Sequence, residues 1–428
     1  MVHTPGKRGD NEREEVMKAR HATAWAVAAL ALVAMNSAAR AADPLKTVVV
    51  DCAAGETIAK ALTLGDERKP LLVQIVGTCS EHVLIDRNDV TLAAGASGAT
   101  VSGPDPATDV IKVTASRVTI DGITVTGGRN GITGNSAPGL IVRNAAVQGT
   151  GRNGITYAHG ASGVVDGSMV TANARDGVAI DAASATVINS QVRQNGRMGI
   201  GVFTNGSARI GVDNANNAAG NVISANASNG IHIVFGSGAL IAMNQITGNG
   251  TSADPAALKI GINLASASAD IIGGNTISGN VGTGVNLVRS SAIFGDALFG
   301  ITTVNTISGN GSPASPGGVF AFLGSSVTIR DAIITGNMGT GVTLSLNSSS
   351  QIASTTIRNN LAIGPGIGDG IRLVFGSSLF ATAPTGSITG NAGFGLACSD
   401  GESSVINTAL LGIGGNALGG VAASCTGF

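Results

Sequence analysis

The chain has 428 residues, 64 of them Gly, with 12% charged residues, 3% aromatics and a formal net charge of −1. That balance excludes an acidic or basic binding tail and nucleic-acid affinity from bulk charge. With 43% hydrophobic residues the chain can bury a core, so charge-driven disorder is excluded, and Gly without a three-residue period excludes collagen.

In chain order, the first element is an unbroken apolar run from Ala24 to Met35. Lys18, Arg20 and His21 precede it and Ala39-Arg40-Ala41 follows. This reads as a secretory signal peptide over residues 1–41, cleaved after Ala41, so a secreted or periplasmic product is expected. The run is shorter than the roughly 20 apolar residues of a membrane span, and no transmembrane segment is expected in the mature chain. Met17, directly before Lys18, reads as the true start, with residues 1–16 as an over-extension. Trp25, the single Trp, falls inside the leader.

Residues 42–95 are expected to form an N-terminal cap with the first strands. In AGETIAKALTLGD, Ile58 and Leu62 stand at helical spacing and predict a short helix over the open end of the structure. The four cysteines, Cys52, Cys79, Cys398 and Cys425, read as two disulfides in an oxidising compartment. Cys52 ends TVVVDC and Cys79 ends LLVQIVGTC, so the two are expected on neighbouring strands. No Cys-x-x-Cys spacing occurs, and neither a metal nor another cofactor is expected.

The body, residues 96–428, is one repeat. An Asn recurs at 173, 195, 226, 249, 280, 310, 337, 360, 391 and 416, with Val or Ile three residues earlier. A Gly recurs from Gly131, Gly154, Gly177 and Gly199 through to Gly420, each followed by an aliphatic residue. A Ser ladder seven residues beyond Gly is expected from Ser184, Ser237, Ser268, Ser291, Ser325, Ser348 and Ser377. Alternation such as Ile231-His232-Ile233 has a period of two and predicts strands. A period in the low twenties with short strands and tight turns suits a coil whose turns stack like rungs, ~4.8 Å apart. The stacked Val and Ile would form the core. Asn would occupy left-handed turns and bond from rung to rung, and Gly would stand where a turn leaves no room for Cβ. About twelve rungs are expected, with Cys398 and Cys425 pinning the last two.

These rungs resemble the right-handed parallel β-helix repeats of the pectin-lyase-like superfamily. Asn221-Val222-Ile223-Ser224-Ala225-Asn226 and Asn275-Thr276-Ile277-Ser278-Gly279-Asn280 carry the resemblance, which covers roughly residues 46–428. It implies an all-β solenoid. It leaves function open, because the superfamily holds lyases, hydrolases, epimerases, tailspikes and adhesins.

Several enzyme signatures of that superfamily are missing. There is no Asp-Asp pair for acid and base, Ala158-His159-Gly160 is a poor match to Gly-His-Gly, and Asp-Pro-His-Asp is absent. Asp176 and Asp181 are the only candidates for a carboxylate cluster on adjacent rungs. One positive feature remains: Arg129, Arg152, Arg175 and Arg197 each stand two residues before the rung Gly, on four consecutive rungs. They predict a basic stripe whose planar forks suit carboxylate or sulfate, and an anionic polysaccharide would meet it at comparable intervals. Neutralisation by Asp166, Asp176, Asp181 and solvent is the plainer alternative.

His159 or Tyr157 could then abstract a proton beside a bound uronate. Tyr157 shares its position with Ile180 and Val202 and is expected to point inward. His159 shares its position with Phe235, Leu323 and Phe375 and is expected to be half-buried. His232 is expected at the surface beside Asn263 and Asn286. Extra residues after Asn249, Asn310 and Asn360 are expected to rise from one face as a low wall, either lining a groove or as tolerated drift, with further insertions near Asp213 and Asp296 in another turn. Terminal Phe428 resembles the end of an outer-membrane barrel, but no barrel strands accompany it, so a self-exporting adhesin is not expected. Three readings stay open: a polysaccharide-recognising solenoid, a lyase or related carbohydrate-active enzyme, and a structural rod.

Overall fold

The computed structural model describes residues 45–295, 300–313, 317–363 and 368–425. The expected leader, with Met17 and Trp25, lies outside the described residues, as do Asp296 and Phe428.

Each rung contributes three short strands. Two join a sheet of 27 strands and the third joins a sheet of 14 strands, and all the pairings between named strands are parallel. The chain is thus an all-β right-handed parallel β-helix. The larger rung count is a correction to the ladder reading. The strands Val83–Ile85 and Ile111–Val113 add two N-terminal rungs that lack the Gly signature.

The core follows from the register. Val147 pairs with Val170, Val170 with Val192, Val192 with Ile223 and Ile223 with Ile246, each fully buried. One β-branched side chain therefore stacks on the next along the axis. Insertions between rungs leave this column in register because the corners absorb them.

The corners explain the polar ladders. Each ladder Asn donates Nδ2–H to the Oδ1 of the Asn on the next rung, from Asn173–Asn195 at 3.0 Å to Asn391–Asn416 at 2.9 Å. That same Oδ1 accepts the backbone N–H of the preceding Asn. The left-handed conformation, however, belongs to the residue before the Asn: Ala172, Gln194, Ala225, Gly248 and Gly279 have positive φ, and the ladder Asn do not. Asn is therefore selected for its amide, not for its backbone. A second ladder, Asn221–Asn244–Asn275–Asn305, runs between the two strands that each rung gives to the larger sheet. The rung Gly is selected by crowding: a Cβ on Gly230 would stand 2.6 Å from Ile246 Cγ2 and 2.8 Å from the Gly261 carbonyl oxygen.

The Ser ladder divides. Ser184, Ser268 and Ser291 lie in one column at the start of a strand. Ser237, Ser325, Ser348 and Ser377 are the buried residues one position earlier, and the hydroxyl oxygens of Ser237, Ser325 and Ser348 accept a backbone N–H from the preceding rung. A one-residue change in corner length puts equal spacings from Gly into different columns.

Both disulfides form. Cys52 and Cys79 have Cα atoms 5.1 Å apart beside the paired strands Lys46–Asp51 and Leu71–Ser80, and the Cα atoms of Cys398 and Cys425 are 4.9 Å apart. The expected cap helix is short, Ile58–Leu62, with Thr57 Oγ1 accepting the Lys60 N–H at its start and Ile58, Ala61 and Leu62 buried. Glu81 fastens it by accepting the N–H groups of Ile58 and Ala59.

Candidate functional site

The outward side of the fourteen-stranded sheet forms the floor of a groove of about 540 Å³. Successive outward positions of its strands are Lys112, Thr133, Thr156, Ala179 and Gly201 in one column, and Asn135, Ala158, Asp181 and Phe203 in the next. A parallel strand places every second residue outward, so these side chains stand on the groove side of the sheet. One rim carries Arg129, Arg152 and Arg197. The other carries His159 and Phe235, at the corner after each strand.

The arginines do stack. Arg175 N–H bonds the Arg152 carbonyl at 2.8 Å and Arg197 N–H bonds the Arg175 carbonyl at 2.9 Å. Their partners differ. Arg129 Nε donates to Asp109 Oδ1 at 2.9 Å, and Arg197 Nε donates to Asp176 Oδ1 at 2.7 Å, with Nη2 on Oδ2 as well. Among the described residues, Arg152 and Arg175 form no ion pair. Burial, then the charges of Arg197 and Arg152, depress the pKa of Arg175, while Asp176 partly opposes them. A pair of crowded cations thus sits between two neutralised ones.

Beneath the stripe runs a ladder that the sequence reading did not recognise. Asp109 Oδ1 accepts Asn130 N–H, Asn130 Oδ1 accepts Asn153 N–H, Asn153 Oδ1 accepts Asp176 N–H and Asp176 Oδ1 accepts Met198 N–H. The signal was available: Asp109, Asn130, Asn153 and Asp176 each follow the arginine position by one or stand at its repeat. Burial works against ionisation of Asp109, but hydrogen bonds from Arg129, Thr133 and Asn130 and the Arg129 charge together hold its pKa below the usual carboxylate value.

This settles where the expected acids lie. Asp176 borders the groove but is fully buried, with its carboxylate committed to Arg197 and Met198. Asp181 is exposed on the floor. Both line the groove, and among the described residues no group of three potential metal ligands occurs. Asp166 belongs to the larger sheet, where it accepts a hydrogen bond from Asn189 at 2.9 Å, and it does not neutralise the stripe.

The aromatic and histidine positions also change. Tyr157 points inward as expected. It is fully buried, its hydroxyl reaches the Leu140 and Val164 carbonyls at 3.0 and 3.1 Å, and burial pushes its pKa up. It is unsuited to act as a base. His159 is exposed rather than half-buried, because it occupies the left-handed corner with φ +53°, as do Phe235, Leu323 and Phe375. That corner turns the column out of the core. His159 Nδ1–H donates to Asn135 Oδ1 at 2.8 Å, which leaves Nε2 as the free lone pair of the neutral ring. His232 stands on the outward column beside Asn263 and Asn286 as expected, but it is half-buried: it packs against Phe203 with ring centroids 6.1 Å apart, and its Nδ1 accepts from Asn229 and Asn263 Nδ2 at 3.0 and 2.9 Å. Burial, aided by the Arg197 charge, lowers its pKa to about 4.

Lys112 and Asn135, which the repeat signature did not single out, both line the groove. The loop after Asn249 leaves from the same corner as the stripe but on later rungs, and the groove lining does not include it. The segment from Asp213 to Asn217 folds on itself, with Val212 bridging Ala218 and Arg209 bonding the Asp213 carbonyl.

The chain matches the family model described as "Right handed beta helix region" over residues 75–217 and 294–410. No curated protein matches significantly. Similar solved structures include a periplasmic alginate epimerase, AlgG, at 13% identity, covering 88% of this chain and 84% of that one with a TM-score of 0.47. The A-module of the Azotobacter vinelandii mannuronan C-5 epimerase AlgE6 is 15% identical, with coverage of 81% and 92% and a TM-score of 0.41. The pectate lyase Pel9A is 15% identical, with coverage of 67% and 78% and a TM-score of 0.38. With the family model spanning more than half of its length over the stacked parallel strands, the protein belongs to the right-handed beta helix family.

Proposed function

We propose that this protein is exported to the periplasm or secreted, and that it binds an anionic polysaccharide in the groove along Arg129, Arg152, Arg175 and Arg197. One observation carries the reading: Arg152 and Arg175 are adjacent cations without a carboxylate partner among the described residues, Arg152 lining an open groove and Arg175 standing between it and Arg197, which also lines it. A carboxylate or sulfate at each rung would relieve their repulsion with charge-assisted hydrogen bonds. A uronate polymer lying along the axis would meet the stripe, whose arginines stand one rung of ~4.8 Å apart, with charges at comparable intervals. Lys112 adds a third cation on the floor.

The test uses mature protein from Ala42 onward, mixed with alginate, pectate, hyaluronan and sulfated glycans and followed by sedimentation. Arg152→Ala and Arg175→Ala are each expected to weaken binding about 10-fold, since a charge-assisted bond contributes ~1.5 kcal/mol. Absence of binding to all four polymers would refute the reading and leave the structural rod as the account.

The geometry of His159 favours a second reading, a polysaccharide lyase. Its Nε2 lone pair would take the C5 proton of a uronate whose carboxylate the arginines neutralise. The electron pair would form the C4–C5 double bond, and the C4 glycosidic oxygen would leave and take a proton from water. Ultraviolet absorbance of the unsaturated product, lost in His159→Ala while binding persists, would establish it. Binding without product would leave a recognition module.

A further inference from the structure

The groove floor changes character along its length. Along its floor the column Lys112, Thr133, Thr156, Ala179, Gly201 shrinks to no side chain at all. At that point the Phe203 ring folds back over its own strand. A Cβ on Gly201 would stand 2.4 Å from Phe203 Cζ and 2.5 Å from Cε2, so the ring occupies the volume above the glycine. Two neighbours hold the ring there. The Arg197 guanidinium carbon lies 5.8 Å from its centroid, and His232 of the next rung packs on it at 6.1 Å with the ring planes tilted by 55°. Both neighbours are themselves fixed, Arg197 by Asp176 and His232 by Asn229 and Asn263.

The other end differs. A second depression of about 310 Å³ shares Asp109, Lys112 and Arg129 with the groove and extends it to His82. From Lys112 to Gly201 the floor spans four rung steps, ~19 Å at ~4.8 Å each. Beyond Phe203 the same column continues as His232, Asn263, Asn286, Phe320 and Thr343 before a cation returns at Arg372. On the arginine rim Ser228 follows Arg197 and the next cation is Lys259, so the run of consecutive cations ends at the rung of the ring.

We propose that Phe203 is a stop that makes the site select a chain end. The groove takes the terminus of an anionic polysaccharide, or a short oligomer of it, entering from the Lys112 side, with the last pyranose resting its C–H groups on the Phe203 ring. An internal stretch of polymer would have to cross the ring. This inference rests on the groove being the anionic-glycan site.

The experiment measures stoichiometry and affinity by sedimentation and calorimetry, using oligogalacturonate and oligomannuronate of defined length and two size fractions of each polymer. Wild type is expected to bind at most one protein per chain at every length, with an unchanged dissociation constant per chain end and a weakening one per unit mass. In Phe203→Ala and Phe203→Val, each checked for a wild-type melting transition, the number of proteins bound per long chain should rise several-fold. Wild type loading several proteins along each long chain would overturn the stop and leave the glycan site standing. Failure of every probe to bind, with wild type equal to Arg175→Ala, would remove the glycan site and this inference with it. The wild-type stoichiometry decides the matter even if neither Phe203 variant folds.

Discussion

Replacing Asn226 by Ala tests whether the amide ladder stabilises the solenoid. Asn226 is fully buried, and its Oδ1 accepts two hydrogens, from Asn195 N at 3.1 Å and Asn195 Nδ2 at 3.0 Å. Its Nδ2 donates to the Val192 carbonyl at 3.1 Å and to Asn249 Oδ1 at 2.9 Å. Alanine retains the backbone N–H bond to Asn249 but strands two hydrogens in the interior, the Asn195 backbone N–H and one of the Asn195 Nδ2 pair, the other staying on the Val170 carbonyl. Each buried donor left unsatisfied costs ~1–3 kcal/mol, so a loss of about 4 kcal/mol is expected. Equilibrium urea unfolding followed by far-ultraviolet circular dichroism measures it, with the exposed strand residue Gln191→Ala as a control expected within about 0.5 kcal/mol of wild type. A stack of repeats can unfold in segments, so the slope of the transition must be compared as well as its midpoint. A loss below ~1 kcal/mol with an unchanged slope would refute the reasoning, because the ladder would then be neutral relative to solvated amides.

Three further outcomes follow from the same geometry. Gly230→Ala should destabilise by ~1–3 kcal/mol in the same assay, since its methyl meets Ile246, Asn249 Nδ2 and the Gly261 carbonyl below 3 Å; a stabilised variant would mean that the rungs can separate freely. His232 folds neutral, with a pKa of about 4 against 6.5 in the unfolded chain. Its contribution is therefore intact above pH 6.5 and lost progressively towards pH 4, by up to ~3 kcal/mol. His232→Asn should flatten that part of the pH–stability profile, and an unchanged profile would show that the histidine is solvated. Asp176→Ala should cost ~2 kcal/mol in urea, below the ~3–5 kcal/mol of a fully buried pair because solvent screens the partly exposed Arg197. It should not weaken glycan binding, and a loss of binding would mean that Asp176 contacts the ligand.

Much of this molecule was legible in one dimension. A solenoid has a core one residue deep per rung, so inward positions recur at a nearly fixed interval and Val192, Ile223 and Ile246 can be recognised without a structure. The disulfide partners, the inward Tyr157 and the Arg stripe follow from the same periodicity. Where the period slips, the reading failed. The strands Val83–Ile85 and Ile111–Val113 carry no rung Gly, so Lys112 went unseen. A one-residue change in corner length divided the Ser ladder between two columns.

The sequence by itself determined the architecture, because stacking identical short strands turns every structural requirement into a repeat. It also determined which residues share a column. The tertiary structure alone decided what those columns do. Only neighbours on adjacent rungs show that Asp109 and Asp176 neutralise Arg129 and Arg197 while Arg152 and Arg175 form no ion pair among the described residues. A left-handed backbone corner, not hydropathy, turns His159 outward. Phe203 and Gly201 stand two residues apart on one strand, and it is the ring's fold-back, held by Arg197 and His232, that fills the space above the glycine. Side-chain direction and charge pairing depend on distances across the stack, which a linear period does not encode.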